Sequence, residues 1–179
     1  MSQLIVYFDK TQYALSRPEA RDFKQLQSHL TATRTIQLKR DGVHVIYISE
    51  QGITRDGETF KNRNFPELMD WLEKIPEDTI VEGEIIVQTP TLSDESLQDN
   101  CGEATSRLNS NGRKPMAKPC KFILFDVLKY VGNDTRKLPY SERFEILNDI
   151  HRHLTAKAKL KGIQTIPIEV IESYIANKF

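Results

Sequence analysis

Thr35-Ile36-Gln37-Leu38-Lys39-Arg40-Asp41-Gly42-Val43-His44-Val45-Ile46-Tyr47-Ile48-Ser49 is the stretch that decides the fold class. Two β-rich runs, Thr35 to Lys39 and Val43 to Ser49, flank Arg40-Asp41-Gly42, and so short a connection favours antiparallel pairing. In the second run Val43, Val45 and Tyr47 alternate only imperfectly with His44, Ile46 and Ser49. That pattern fits a strand covered on both faces.

Working outward, Gly52 and Asp56-Gly57 are turn signals, the second able to close a hairpin. Phe65 to Ile75 reads as a helix with Phe65, Leu68, Leu72 and Ile75 on one stripe, Asn64 as its cap and Trp71 in the core. Thr79 to Gln88 reads as a strand interrupted by Glu82-Gly83-Glu84, and Phe122 to Tyr130 as the most hydrophobic strand. Tyr140 to Leu160 is the longest helix, opened by Ser141, and Gly162 to Ile171 a last strand. Before the decisive stretch, Leu4 to Phe8 predicts a short strand and Pro18 to Leu30 a helix. Helices mixed with tightly turned β-runs predict an α+β fold, with antiparallel sheets flanked by helices.

The chain has 179 residues, 39% of them hydrophobic, with 25 Lys+Arg against 25 Asp+Glu. Zero formal net charge removes the overall basic footprint of many nucleic-acid binders, so any basic surface must be local. The N-terminal apolar run ends at Phe8, too short for a signal peptide or a membrane span. Cys101 and Cys120 give neither a disulfide framework nor metal-ligand spacing and read as bystanders. The expected location is cytoplasmic or nuclear, with both thiols reduced.

Three segments place charges where strands usually exclude them: Lys39-Arg40-Asp41-Gly42, Glu82-Gly83-Glu84, and Asp126 within Phe122 to Leu128. A lysine flanked by sheet and close to carboxylates can have its pKa tuned, as a nucleophilic amine requires. Taken alone, the first segment is an ordinary hairpin turn. It does not stand alone. Lys39 to His44, Thr54-Arg55-Asp56-Gly57, Glu82 to Val87, Phe122 to Leu128 and Leu138-Pro139-Tyr140-Ser141-Glu142-Arg143 follow in that order. This series resembles the adenylation domain of ATP-dependent DNA ligases, within the covalent nucleotidyltransferases that include RNA ligases and mRNA capping enzymes. The resemblance runs from Arg17 to Ile171.

The resemblance implies a nucleotidyltransferase fold of the ligase and capping-enzyme type, with the nucleotide cleft between its sheets. Residues 1–33 would form a lead-in strand and helix, and 34–179 the nucleotide-binding core. Lys39 would attack the α-phosphate of ATP, forming lysyl-AMP and releasing pyrophosphate. AMP would then pass to the 5′-phosphate of nicked DNA, and the 3′-hydroxyl would seal the nick. Asp41 would orient Lys39 or contact the sugar, and Arg55 would lie near the ribose and the nick phosphate. Glu84 would accept from a ribose hydroxyl, and Phe125 would stack on adenine with Asp126 shaping the pocket. His44 stands where the family usually carries arginine, a hydrogen-bond donor in place of a permanent fork. Mg²⁺ is the expected metal, with no ligands assigned.

From Glu103 to Lys121 the sequence is polar, and Arg107, Arg113, Lys114, Lys118 and Lys121 oppose only Glu103. This stretch predicts a mobile loop, either simply solvated or contacting the DNA backbone through Arg107, Arg113, Lys114 and Lys118. The family pattern goes on to an E-G-x-V-x-K strand, a K-x-K pair and an oligonucleotide-binding domain. None of these follows Ile171, so the expectation is an adenylation domain incomplete at its C-terminus, completed by missing motifs or a complementing chain. Three alternatives stand beside this reading: a non-catalytic remnant binding a nucleotide or a partner, an RNA ligase, and a capping-type enzyme. A sheet edge left bare near Val170 would favour self-association or such a partner.

Overall fold

Alternating side chains along three strands set the middle of the molecule and divide it into two unlike faces. The computed structural model describes residues 35–37, 40–60, 64–90, 97–110 and 119–175. The expected strand at Leu4 to Phe8 and helix at Pro18 to Leu30 lie outside these. The described elements begin with β1 (Thr35–Gln37), β2 (Val43–Ile48), β3 (Gln51–Thr54), β4 (Thr59–Phe60) and α1 (Pro66–Leu72). They continue through β5 (Ile80–Pro90), β6 (Leu97–Asp99), α2 (Cys101–Asn109), β7 (Cys120–Tyr130) and β8 (Asn133–Asp134). The last are α3 (Tyr140–Leu160), β9 (Ile168–Val170) and β10 (Ser173–Ile175).

The main sheet runs β4-β3-β2-β5-β7-β8, with β6 added on β5 and β9 on β7, while β1 and β10 pair separately. The α+β class holds, and the pairings among the described residues are antiparallel with one exception. β9 lies parallel to β7, with Phe122 opposite Ile168 and Leu124 opposite Val170. Parallel neighbours need a long crossover, and the 21 residues of α3 supply it. The strand expected from Gly162 is correspondingly short. Gly162, at φ 72°, ends α3 in a left-handed turn, in which the Gly162 and Ile163 amides donate to the Lys159 and Ala158 carbonyls.

The three helices of the described residues pack on one face. Val45 and Tyr47 of β2, Val81, Ile85 and Val87 of β5, and Phe122, Leu124 and Val127 of β7 meet Leu68 and Leu72 of α1. Leu147, Ile150 and Leu154 of α3 close the same core. Trp71 is buried there, as its helical position predicts. On the other face Ile86, Ile123 and Ile171 form a small apolar group with Phe125 against it.

Several local expectations change. Glu82-Gly83-Glu84 does not interrupt β5, because Gly83 lets β7 approach closely. A Cβ there would stand 2.6 Å from the Ile123 carbonyl oxygen. The β2–β3 turn is made by Ser49 and Glu50, both at positive φ (47° and 62°), while Gly52 sits inside β3. Two left-handed residues are what a two-residue hairpin between twisted strands requires. Phe65 rather than Asn64 caps α1, and the Asn64 side chain instead donates to the Leu108 carbonyl at 2.7 Å.

Candidate active site

A break in strand periodicity builds the site. Leu124 and Val127 both enter the helix-covered core although they stand three residues apart. A side-chain period of two forbids this unless the strand carries an extra residue. Gly83 pairs with Leu124 and Glu82 with Asp126, so Phe125 is that residue. Alternation from Leu124 puts Phe125 on the opposite face, with its ring centroid 5.1 Å from that of His44, and the bulge keeps Asp126 on that face too, opposite Glu82. On β2 and β5 ordinary alternation does the rest. His44 pairs with Glu84 and Ile46 with Glu82, so the charged side chains share a face with Phe125.

Each of these groups is held. His44 Nε2 lies 2.8 Å from Glu82 Oε1, and the Glu82 side chain is almost fully buried. The imidazole therefore faces a protein carboxylate through Nε2. Arg143, in the first turn of α3, grips Asp126 with a two-point fork at 2.7 and 2.9 Å and donates to the Leu138 carbonyl. The Asp126 carboxylate beside it raises the Arg143 pKa further. The Tyr140 hydroxyl donates to the Phe125 carbonyl at 3.1 Å, and Gln37 Nε2 donates to the same hydroxyl. The Leu138-to-Arg143 segment thus clamps the bulge from behind.

Lys39 lies outside the described residues, but the three that follow it do not. Arg40 forks onto Asp99 at 2.7 and 2.8 Å, and the Asp41 amide donates to the same carboxylate at 3.3 Å. The Gly42 amide donates to Glu84 Oε1 at 3.0 Å, and the Cys101 thiol donates to the Gly42 carbonyl at 3.2 Å. A Cβ on residue 42 would stand 2.3 Å from the Ile85 carbonyl oxygen, so this approach requires glycine.

Of the residues read from the sequence, His44, Glu84 and Phe125 meet on one face. Asp41 is exposed beside them. Arg55 is exposed in the turn one residue beyond β3. Arg107 is a correction. It belongs to α2, is 4% exposed, pairs with Glu67 and lies over the Phe65 ring 5.1 Å away on the helix-covered side. A guanidinium so enclosed is not presented to a DNA backbone. The loop predicted from Glu103 begins as this helix, because the Asn100 side chain caps it by accepting from the Glu103 amide. Arg113, Lys114 and Lys118 lie outside the described residues. Sequence reasoning missed Asp99, and it set Cys101 aside as a bystander. Neither carries a periodic or motif signal.

Residues 17–176 match the family of the ATP dependent DNA ligase domain. The chain belongs to that family. Solved ligase structures share its fold. The ligase domain of LigD from M. tuberculosis is 16% identical at a TM-score of 0.55, covering 81% of this chain and 41% of that one. A mycobacterial DNA ligase D complexed with ATP and MES is 14% identical at 0.50, covering 78% and 39%. A Lig E DNA ligase is 14% identical at 0.52, covering 84% and 48%. The chain thus spans less than half the length of each of these ligases. No curated protein matches the sequence at a significant level.

Proposed function

We propose that the face carrying His44, Glu84 and Phe125 binds ATP and that Lys39 forms lysyl-AMP there, for transfer of AMP to a 5′-phosphate at a DNA nick. One observation carries the reading. Glu84, His44 and Phe125 come together beside the loop that follows Lys39, in a chain of the DNA ligase family. In this reading Phe125 offers its ring to adenine, and Glu84 offers its carboxylate to a ribose hydroxyl. Arg55 attracts phosphate from the rim. The lysine amine must lose its proton before it attacks, because an ammonium has no lone pair to give. Residues 34–179 then act as the nucleotide-binding core.

Among the described residues no group of three or more His, Cys, Asp or Glu could hold a metal ion, so they do not by themselves fit a protein-held Mg²⁺. ATP phosphates are its natural ligands. No helix of the described residues is long and apolar enough to cross a membrane. Both cysteines are free, in keeping with an intracellular location for this activity.

The test is intact mass after incubation with ATP and Mg²⁺, for the native chain and for Lys39→Ala. The reading requires a gain of one adenylyl group that the variant lacks and that nicked DNA then discharges. Absence of any adduct overturns it. Discharge only onto nicked RNA would reassign the substrate, and an adduct formed only with GTP would point to capping-type chemistry.

A further inference from the structure

Asp99 has no part in the nucleotide pocket just described, yet it is tied to the two residues that follow the nucleophile. Its carboxylate accepts both arms of the Arg40 fork, at 2.7 and 2.8 Å, and the Asp41 amide at 3.3 Å. Both side chains of the pair are largely shielded, at 14% exposure for Asp99 and 21% for Arg40. The anchor is itself anchored. Asp99 ends β6 opposite Gln88 of β5, and the next amide, Asn100, donates to the Val87 carbonyl at 2.8 Å. Cys101, first residue of α2, reaches the Gly42 carbonyl. Residues 99–101 therefore brace residues 40–42 against the central strand.

We infer that Asp99 is a positioning residue for lysyl-AMP formation, fixing through Arg40 and the Asp41 amide the backbone that directs Lys39. The inference rests on the function proposed above. An amine attacking phosphorus must arrive close and in line, and a misplacement of about 1 Å can cost about a hundredfold in rate. A loop made only of Arg40-Asp41-Gly42 would sample many backbone states. A two-point charged fork plus an amide bond to one carboxylate removes most of them. Glu84 accepts from the Gly42 amide and the Phe125 carbonyl accepts from the Tyr140 hydroxyl, so loss of the Asp99 fork should tell on positioning more than on ATP affinity. Positioning and binding should therefore separate.

The experiment is single-turnover lysyl-AMP formation by the full chain across ATP concentrations, with Asp99→Asn and Arg40→Lys. Asp99→Asn keeps the shape and loses the charged fork, while Arg40→Lys keeps the charge and loses the planar fork. Each variant should lower the maximal rate about tenfold to a hundredfold, with the half-saturating ATP concentration unchanged within about twofold. Asp99→Glu should recover part of the rate by restoring the carboxylate. Because Arg40→Lys leaves Asp99 in place, it decides the question even if Asp99→Asn fails to fold. A maximal rate unchanged in both variants, with the native chain forming the adduct, overturns the positioning role and leaves the proposed function standing. Equal losses of rate, ATP affinity and melting temperature also overturn it, because a purely structural role would look like that. No adduct in the native chain overturns both readings.

Discussion

Phe122 and Phe125 stand three residues apart on one strand, yet Phe122 is fully buried beneath the helices and Phe125 is half-buried beside His44. The sheet they share has one face sealed by α1, α2 and α3 and another that carries His44, Glu82, Glu84 and Asp126. Their odd spacing alone puts the two rings on opposite faces, and the extra residue in β7 keeps Asp126 on the face of Phe125. Without the bulge, strict alternation from Leu124 would send Asp126 into the apolar core, where an unpaired carboxylate is costly. The proposed site thus lies on one face, and the other face supplies the stability.

The sharpest way to break this comparison is to truncate both rings. Phe122→Ala should destabilise the fold by about 3–5 kcal/mol, the usual cost of emptying a sealed aromatic site. Phe125→Ala should cost less than half of that. It should instead weaken ATP about tenfold, since stacking an aromatic on a base is worth about 1–3 kcal/mol. Denaturant midpoints and the ATP dependence of adduct formation measure the two quantities. Equal destabilisation with unchanged ATP dependence would erase the distinction between the faces.

Gly83→Ala tests the seam between β5 and β7. The added Cβ would meet the Ile123 carbonyl oxygen at 2.6 Å and the Phe122 ring at 2.7 Å, both fixed in the core. Overpacking of this kind costs about 1–3 kcal/mol, visible as a lowered urea midpoint. An unchanged midpoint would show that the seam can open without loss.

Much of this division was legible in the sequence, and the reasons are local. Val43, Val45 and Tyr47 announce their face by period two, and the Tyr140 helix announces its stripe by period 3.6. Glu84 and Phe125 were legible because ordered motifs carry them. The bulge was not, because Phe122 to Tyr130 is apolar enough to hide a phase change. Arg107 was misread for a related reason. Its neighbours are polar, but burial comes from Glu67 and Phe65, which are forty or more residues away in sequence. Asp99 and Cys101 depend on the same kind of distant pairing, with the Arg40 to Gly42 loop.

A smaller effect separates the loop brace from both faces by pH. The Arg40 guanidinium holds the Asp99 carboxyl below the usual carboxylate range. In the unfolded chain Asp99 titrates near its ordinary value, about 3.9. Because its folded value is lower, the pair's contribution is complete above that pH and disappears as pH falls through the folded value. The stability difference between the native chain and Asp99→Asn should be present at pH 7 and shrink as pH falls below about 4. Glu169 and Glu172 also act on Arg40, so the comparison must be between variants rather than between pH values alone. A difference that stays constant on acidification would mean that the fork adds nothing to stability.

The smallest expected effect concerns the two thiols, which differ in burial as the phenylalanines do. Cys120 is 2% exposed, and burial together with the adjacent Glu67 pushes its pKa far up. Since the thiolate is the reactive form, Cys120 should resist alkylation in the native chain and react only on unfolding. Cys101 is partly exposed, and its thiol is a weak donor to the Gly42 carbonyl with the Thr105 hydroxyl 3.8 Å from its sulfur. Cys101→Ser keeps a donor at that position and should change stability by no more than about 0.5 kcal/mol. Cys101→Ala removes the donor and should cost about 1 kcal/mol or less, because the Gly42 amide remains tied to Glu84. Mass-resolved alkylation under native conditions should therefore label Cys101 first. Labelling Cys120 first would mean that the helix-covered face opens more readily than the loop it supports.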